Sequence, residues 1–392
     1  MLIQFPRSFF WGSSTSAPQI ETPSDHNWRG FVARDGSVFD RTIDHEKKRE
    51  EDLEYIVRFG QVYRCGIDWA RLQPEPFGIF DPEVVDEYQE FFAHIRDEGM
   101  NIMLVLHHFT NPIWFEERGG WLEENNISAF VDFAQQCITY FGSYVSYWNT
   151  FNEPNVYAAM AYLLGQFPPQ KKSLRKADRV LNYLGQAHRI VHDLIKDQYP
   201  FHQVGISLNT VWFEAIHPLG RLPAYMADRW FHRKASRYFS NVDFWGLSYY
   251  AYVPFNPKPI TEINKPGKLA RLGIKHDKMW GYRPEGLGRM LRKFHNWYKK
   301  PLIVVENGIC TDDPDVRIQS IKDYLQVIDR VMEEGIPVQG YIHWSTFDNF
   351  EWNLGPGYRF GLVAVDPVTK DRRMTRAGEF YAEVTQTGRV YL

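Results

Sequence analysis

The stretch Asn101–His108 (NIMLVLHH) holds five consecutive large apolar residues, Ile102–Leu106, followed by two histidines. A short apolar run without alternating polar residues indicates a strand that is buried on both faces of a sheet. Amphipathic stretches flank it. Asp81–Glu98 opens with Asp-Pro and is followed by glycine, and Ser128–Phe141 opens with a candidate serine cap and ends before glycine. This order predicts a helix, a buried strand and a second helix.

The same alternation of strand and helix extends over the chain. The apolar runs that predict strands are Phe9–Thr15, Gln61–Trp69, Asn101–His108, Tyr144–Phe151, Gln203–Asn209, Val242–Tyr249, Pro301–Glu306 and Pro337–Trp344. Further helices are expected at Glu46–Phe59, Asp178–Gln198, Gly286–Lys299 and Arg317–Glu334. Strands that alternate with helices form parallel sheets, and eight such units predict an α/β fold, the (β/α)8 or TIM barrel.

We expect a single catalytic domain over residues 1–392, because no Gly/Ser-rich or Pro-rich linker divides the chain. The only extended irregular stretch is Pro254–Trp280, which we interpret as a solvated excursion of one βα loop. Phe167–Arg175 (FPPQKKSLR) is predicted to be a solvated turn with a basic flank.

Charge and cysteine content exclude several classes of protein. Lys and Arg total 45 against 48 Asp and Glu, a net charge of −3, which gives no electrostatic footprint for nucleic acid and no basic run for a membrane surface. The cysteines are three, odd in number and widely spaced, which argues against a disulfide framework or a zinc ribbon. Without a signal-peptide pattern or a long apolar run, we expect a cytoplasmic protein.

Two glutamates follow predicted strands at their carboxyl ends, the end at which barrels hold their chemistry. Glu153 closes the fourth strand in TFNEPN, and the proline after it restricts its backbone. Glu306 closes the seventh strand in VVENG. Two carboxyl groups that face each other across a barrel mouth can divide the roles of acid and nucleophile. The alternative is that each is a salt-bridged residue of the rim.

Histidine and tryptophan mark two further strand ends. His107 and His108 close the third strand, and only one of two adjacent side chains can face the mouth, so the pair does not predict a metal site. The facing histidine either binds substrate or is a packed histidine. After the eighth strand, Trp344, Glu351 and Trp352 suit a pyranose, which stacks on indole and offers hydroxyls to a carboxylate. They could instead form aromatic core beneath a loop.

Taken together, these residues resemble glycoside hydrolase family 1, the retaining β-glycosidases. The resemblance runs from about Pro6 to beyond Asp366, nearly the whole chain. The motifs that carry it, in family order, are FFWGSSTSAPQIE within Pro6–Glu21, YRCGIDWARL at Tyr63–Leu72, HHFTNPIWF with GGW at His107–Trp121, TFNEPN at Thr150–Asn155, VVENG at Val304–Gly308, and HWSTFDNFEW with GYRFGLV at His343–Val363.

The resemblance implies a role for single residues. Glu153 would be the general acid and base and Glu306 the nucleophile, while Arg64 and Tyr250 would contact Glu306 and favour its charged form. The residues that would surround the terminal sugar are Gln19, His108, Asn152, Glu351 and Trp352 at its hydroxyls, Trp344 as the floor beneath the ring, and Phe360 as the far wall. Asn152 would bind the 2-hydroxyl. No metal or organic cofactor is implied.

Some residues depart from the family pattern. The family usually has Asn-Tyr-Tyr after the sixth strand, but here Ser248 takes the place of the asparagine. Its shorter side chain puts a contact near the acid in doubt. The loops after Asn155 and Gly308 look short, which predicts a wide cleft on the aglycone side. The carboxylate of Glu351 would repel phosphate, so 6-phosphoglycosides are disfavoured as substrates. Because residue 153 is a glutamate, and so can act as an acid, O-glycosides are favoured as substrates.

We therefore expect a retaining, exo-acting β-glucosidase that also tolerates β-galactosides or β-fucosides. Its partner would be a small β-glycoside or an oligosaccharide. A transglycosidase would share every one of these residues. A non-catalytic carbohydrate-binding protein is a second alternative, which two intact glutamates disfavour, and a metal-dependent hydrolase on the same fold is the most remote. The sequence does not predict the oligomeric state.

Overall fold

The computed structural model describes residues 1–255 and 266–392. Parallel strands form a closed barrel in chain order. They are β1 (Phe10–Ser14), β2 (Val62–Gly66), β3 (Asn101–His107), β4 (Val145–Asn152), β5 (Gln203–Ala215), β6 (Phe244–Phe255), β7 (Leu302–Asn307) and β8 (Val338–Trp344). β1 pairs with both β2 and β8, which closes the ring. The predicted TIM barrel is confirmed, while the single-domain assignment stays a prediction.

Helices connect the strands. Among the described residues they are α1 (Ala17–Ile20), α2 (Arg49–Ile56), α3 (Trp69–Leu72), α4 (Pro82–Asp97), α5 (Ile113–Glu117), α6 (Ile127–Phe141), α7 (Pro154–Tyr157), α8 (Leu174–Gln198), α9 (Arg221–Asp228), α10 (Ala235–Arg237), α11 (Pro266–Arg271), α12 (Glu285–Tyr298), α13 (Pro314–Glu333) and α14 (Arg376–Thr387). No helix in residues 1–255 or 266–392 is both long enough and apolar enough to cross a membrane.

The predicted helices are present, but several begin at other residues than expected. α8 begins at Leu174 rather than Asp178, because the Ser173 side chain caps its first turn. α13 likewise begins at Pro314, capped by Asp313. The predicted cap of α6 was wrong: Ser128 lies inside the first turn, where its hydroxyl donates to a carbonyl oxygen.

Short antiparallel strands complete the fold. Leu2–Gln4 pairs with Arg389–Tyr391 and so ties the two ends of the chain together. Val363–Val365 pairs with Arg372–Met374 just beyond the loop that follows β8. This second pair supports the loop that carries Glu351, since the backbone of the same loop bonds to Val363.

β5 and β6 continue past their predicted ends at Asn209 and Tyr249. The two strands stay paired as far as Ala215 and Phe255. Their extension packs against α9 through the buried residues Val211, Ala224, Ala251, Val253 and Phe255. The extension is stabilised by this apolar contact, which raises one side of the barrel mouth.

The two stretches predicted to be solvated are only partly so. Pro254 belongs to β6, residues 256–265 lie outside the described residues, and Trp280 is half-buried with its ring 5.7 Å from that of Tyr250. In the second stretch, Phe167 is buried 4.9 Å from the ring of Trp28, while residues 170–172 are exposed as expected. Both corrections have the same cause, an aromatic residue that packs at the barrel mouth.

The barrel interior is closed below the mouth by an apolar layer. This layer is formed by the buried residues Val62, Met103, Phe244, Ile303, Val305 and Ile342. They come from β2, β3, β6, β7 and β8, and side chains from strands on opposite sides of a closed barrel can meet only in its interior. The polar residues described below lie at the carboxyl ends of the same strands.

Candidate active site

Glu153 and Glu306 occupy the carboxyl ends of β4 and β7, and each has an unusual backbone setting. Glu153 has a positive φ of 43°, a conformation that costs a non-glycine residue about 1–3 kcal/mol and is concentrated at functional sites. Beyond Glu306, a Cβ at Gly308 would collide with the carbonyl oxygen of Trp344. Only glycine allows β7 to leave the barrel so close to β8.

Glu306 is held by two donors. Arg64, fully buried on β2, donates from Nη1 to Oε1 at 2.6 Å, and the Tyr250 hydroxyl donates to Oε2 at 2.9 Å. Nη2 of the same guanidinium donates to Asn152 Oδ1 at 2.6 Å and to Ser207 Oγ at 3.0 Å. The predicted contacts of Arg64 and Tyr250 with Glu306 are thus present, and Asn152 is bonded to the same guanidinium. Their catalytic roles stay predictions.

The two carboxyl groups differ in acidity. Burial, reinforced by the negative charge of Glu306, raises the pKa of Glu153 to about 8. Burial also raises the pKa of Glu306, but Arg64 and the Tyr250 hydrogen bond oppose it. The expectation that these partners favour the charged form is right in direction, although burial outweighs them. Because Glu153 has no comparable cation, Glu306 is the first of the pair to lose its proton.

Sequence reasoning missed a contact of Glu153. Asn209 donates from Nδ2 to Glu153 Oε1 at 2.8 Å. The signal was its position, since Asn209 is the residue at which the fifth strand was predicted to end. Ser248, one strand further, is buried and its hydroxyl makes no hydrogen bond of normal geometry among the described residues.

Gln19 and His108 each present one unpaired polar atom. Gln19 donates to Glu351 Oε2 at 3.4 Å and to the Phe350 carbonyl at 2.9 Å, and its Oε1 is unpaired among the described residues. His108 Nε2 lies 2.8 Å from Asn152 Nδ2, which can only donate, so the His108 proton resides on Nδ1. That Nδ1 has no partner within the described part of the chain.

These unpaired atoms indicate a polar ligand. Buried polar groups are nearly always hydrogen-bonded, so a buried acceptor and a buried donor at one mouth await partners. A ligand with several hydroxyls can satisfy both. Glu351 adds a third group, and burial, with the charge of Glu306, raises its pKa to about 8.

Aromatic rings form the walls of the same site. Trp344 and Trp352 lie 5.9 Å and 5.8 Å from the His108 ring, and Phe360 lies 5.9 Å from Tyr250. Trp344 precedes a cis peptide bond to Ser345. Trp344, Trp352 and Phe360 thus lie beside His108 and Tyr250, while their predicted roles at the sugar stay predictions.

His107 does not contribute to this site. It occupies a packed position, with Nε2 2.9 Å from Asn111 Oδ1 and its ring 5.7 Å from Trp121. Burial lowers its pKa to about 4, so it is neutral. In residues 1–255 and 266–392, no three His, Cys, Asp or Glu side chains are grouped to hold a metal ion.

A separate cavity of about 540 Å³ lies outside this site. It is lined by Ala270, by Gly273–His276 and by residues of α13, among them Ser320 and Asp323. Neither Glu153 nor Glu306 lines it, so the cavity is distinct from the paired carboxyl groups at the barrel mouth.

Comparison with known proteins gives a consistent result. The model of the family described as "Glycosyl hydrolase family 1" matches residues 1–249 and 232–389. "Beta-glucosidase A" of Acetivibrio thermocellus is 28% identical over 440 aligned positions, which cover 97% of this chain and 98% of that protein. "Beta-glucosidase A" of Thermotoga maritima is 26% identical and covers 98% of each. The structure of the β-glycosidase from Pyrococcus horikoshii superposes with a TM-score of 0.89 at 29% identity, covering 100% of this chain and 97% of that one.

Proposed function

This chain belongs to glycosyl hydrolase family 1, and on that premise we propose that it removes a terminal β-glucosyl unit from small β-O-glycosides and oligosaccharides. It is a glycoside hydrolase of the β-glucosidase type, and family 1 enzymes retain the anomeric configuration. The observation that carries the proposal is the pairing of Glu306 with Arg64 beside a Glu153 whose pKa is raised to about 8.

Glu306 is the nucleophile in this proposal. Its carboxylate oxygen forms a bond to the anomeric carbon while the bond from that carbon to the leaving oxygen breaks. Glu153 supplies the proton that the leaving oxygen takes up. The products of this step are the free aglycone and a glycosyl ester on Glu306.

Glu153 changes role in the second step. Esterification removes the negative charge of Glu306, one of the two causes that raise the pKa of Glu153. The Glu153 carboxylate then takes a proton from water, whose oxygen attacks the anomeric carbon and releases the sugar from Glu306. In this proposal Asn152 binds the 2-hydroxyl during both steps, which its position next to Glu153 in the chain and its hydrogen bond from Arg64 support.

The glycone preference rests on Gln19 and Glu351. These two side chains are bonded to each other and can bind hydroxyls at positions 4 and 6 of the sugar. A carboxyl group both donates and accepts once protonated, so either orientation of the 4-hydroxyl can be bound. A structure of the Thermotoga maritima β-glucosidase in complex with a galacto-hydroximolactam supports this tolerance. We therefore include β-galactosides and β-fucosides as slower substrates.

Transfer to an acceptor other than water is the second candidate. A "Galactolipid galactosyltransferase" of Arabidopsis thaliana is 29% identical over 84% of this chain, although the match covers 55% of that protein. Trp280 beside Tyr250 offers an apolar wall on which an acceptor could stack.

A panel of 4-nitrophenyl β-glycosides tests the substrate proposal. We expect the highest kcat/KM for the glucoside, with measurable turnover of the galactoside and the fucoside, and sugar release that matches nitrophenol release. A chain that turns over none of the three would contradict the substrate assignment. Nitrophenol release well in excess of free sugar, at high acceptor concentration, would favour the transglycosidase.

A further inference from the structure

Position 248, beside the acid of the proposed mechanism, carries a short side chain that is fully buried. Ser248 pairs in register with Asn209 on one side and with Glu306 on the other. Its buried hydroxyl makes no hydrogen bond of normal geometry within the described residues, although it is close enough to lower the pKa of Glu153. The family usually has an asparagine at this position, whereas in this chain the side-chain amide bonded to Glu153 belongs to Asn209.

Asn209 is the residue that does so. Its Nδ2 lies 2.8 Å from Glu153 Oε1. Its backbone is fixed from both sides, because Asn155 accepts from the Asn209 N–H at 3.2 Å and donates to the Asn209 carbonyl at 2.9 Å. Asn155 lies two residues after Glu153 in TFNEPN. The turn that carries Glu153 therefore also holds the backbone of Asn209 in place.

The direction of this hydrogen bond has a chemical consequence. An amide nitrogen only donates, so Glu153 Oε1 must accept. A protonated carboxyl group has one accepting oxygen and one that carries the proton. With Oε1 engaged by Asn209, the proton belongs on Oε2. We propose that Asn209 is a positioning residue of the acid and base, which directs the transferable proton of Glu153 to Oε2. This inference rests on the proposed role of Glu153.

The same hydrogen bond serves the second step. A donor bonds more strongly to a carboxylate than to a neutral carboxyl group, and Asn209 accordingly lowers the pKa of Glu153 against burial and the charge of Glu306. The other charged or titratable groups that act on this carboxyl are Arg64 on β2, which lowers its pKa, and Tyr250 on β6. Asn209 thus favours the base form that water activation requires.

Asn209→Ala tests the proposal through the pH dependence of activity. Loss of the donor raises the pKa of Glu153. The basic limb of the kcat/KM profile is therefore expected to move to higher pH by about 0.5–1 unit, which corresponds to the free energy of one hydrogen bond. For aryl glucosides with good leaving groups, kcat is expected to fall about tenfold, because the base is less well oriented. The isosteric Asn209→Asp keeps the packing and adds a negative charge. The basic limb of its kcat/KM profile should therefore lie at still higher pH than that of Asn209→Ala.

Asn126→Ala is the matched control. Asn126 is another buried amide, remote from Glu153, which donates to the carbonyls of Arg118 and Gly120. The Asn126→Ala variant is expected to be less stable than the wild type, with the basic limb of its kcat/KM profile at the same pH. If both Asn209 variants keep the wild-type limb, whatever their kcat, Asn209 does not position the proton. Covalent labelling of Glu306 in the same variants keeps the outcomes separate, since a chain that is labelled but shows no shift refutes only the role of Asn209.

Discussion

Glu153 and Glu306 are the same residue type at the same end of the barrel, and their neighbours make them chemically different. Glu306 contacts a guanidinium and a tyrosine hydroxyl, whereas Glu153 contacts an uncharged amide. Arg64 and the Tyr250 hydroxyl both lower the pKa of Glu306, whereas the negative charge of Glu306 raises the pKa of Glu153. These neighbours support the proposed division of roles, with Glu306 as the nucleophile and Glu153 as the acid.

The pH dependence of kcat/KM should report this difference. Glycosylation needs a protonated Glu153, whose pKa is raised to about 8 by burial and by Glu306. Activity is therefore expected to fall as pH rises through about 8. In Glu153→Gln, with a 2,4-dinitrophenyl glucoside that needs no acid, this basic limb should disappear. If the limb persists at the same pH in Glu153→Gln, the acid is another group.

Single residues of the site were predictable where they lie in a family motif, whereas Asn209 and Trp280, which lie outside the motifs, were missed. Glu153, Glu306 and Trp344 each close a predicted strand. Asn209 also closes one, but its contact with Glu153 depends on the register between β4 and β5, which the sequence of neither strand shows. Trp280 reaches Tyr250 from a loop in which no periodicity indicates burial.

At the scale of elements, every predicted barrel strand is present, because each is an apolar run that is buried on both faces. The ends of β5 and β6 were wrong because the contact that extends them is with α9, outside either apolar run. Helix starts at Leu174 and Pro314 were missed because the cap lies outside the apolar pattern.

A buried ion pair joins α2 to the second antiparallel pair. Asp52 Oδ1 accepts from Arg372 Nε at 2.7 Å, and Asp52 Oδ2 lies 2.6 Å from His45 Nδ1. Burial works against the charge of Asp52, but the hydrogen bonds from His45 and Arg372 prevail and lower its pKa. The network ties the start of α2 to Arg372–Met374, the strand that supports the loop carrying Glu351.

Asp52→Ala should be strongly destabilising, because it removes the carboxylate to which two nitrogens of the buried Arg372 guanidinium donate. We expect a loss of about 3–5 kcal/mol in the free energy of unfolding at pH 7, measured by urea denaturation. The exposed Asp371→Ala is the control and should change it by about 0.5 kcal/mol or less.

The contribution of Asp52 to the free energy of unfolding depends on pH. The pKa of Asp52 is lower in the folded chain than in the unfolded one, so its contribution is present above the unfolded pKa of about 3.9 and is lost as pH falls through the folded value. The difference between wild type and Asp52→Ala should therefore shrink in acid. Equal stability of the two at pH 7 would contradict the account.

At the scale of the whole molecule, the barrel assembles the site from residues that are far apart in sequence. Arg64 and Glu306 are separated by 242 positions, and Gln19 and Glu351 by 332, yet each pair is in contact. Family resemblance predicted which residues meet, because the motifs occur in family order. The unpaired atoms of Gln19 and His108 could be found only once the packing around them was known.

The central claim is that Glu306 becomes covalently bound to the sugar, and trapping with an activated 2-deoxy-2-fluoro-β-glucoside tests it most directly. The fluorine slows both steps, and the activated leaving group restores the first, so the ester accumulates. Intact mass and peptide mapping should show one fluoroglucosyl unit on the peptide that contains Glu306, and none on Glu306→Ala. A label on another residue, or no label with either the gluco or the galacto reagent, would contradict the account.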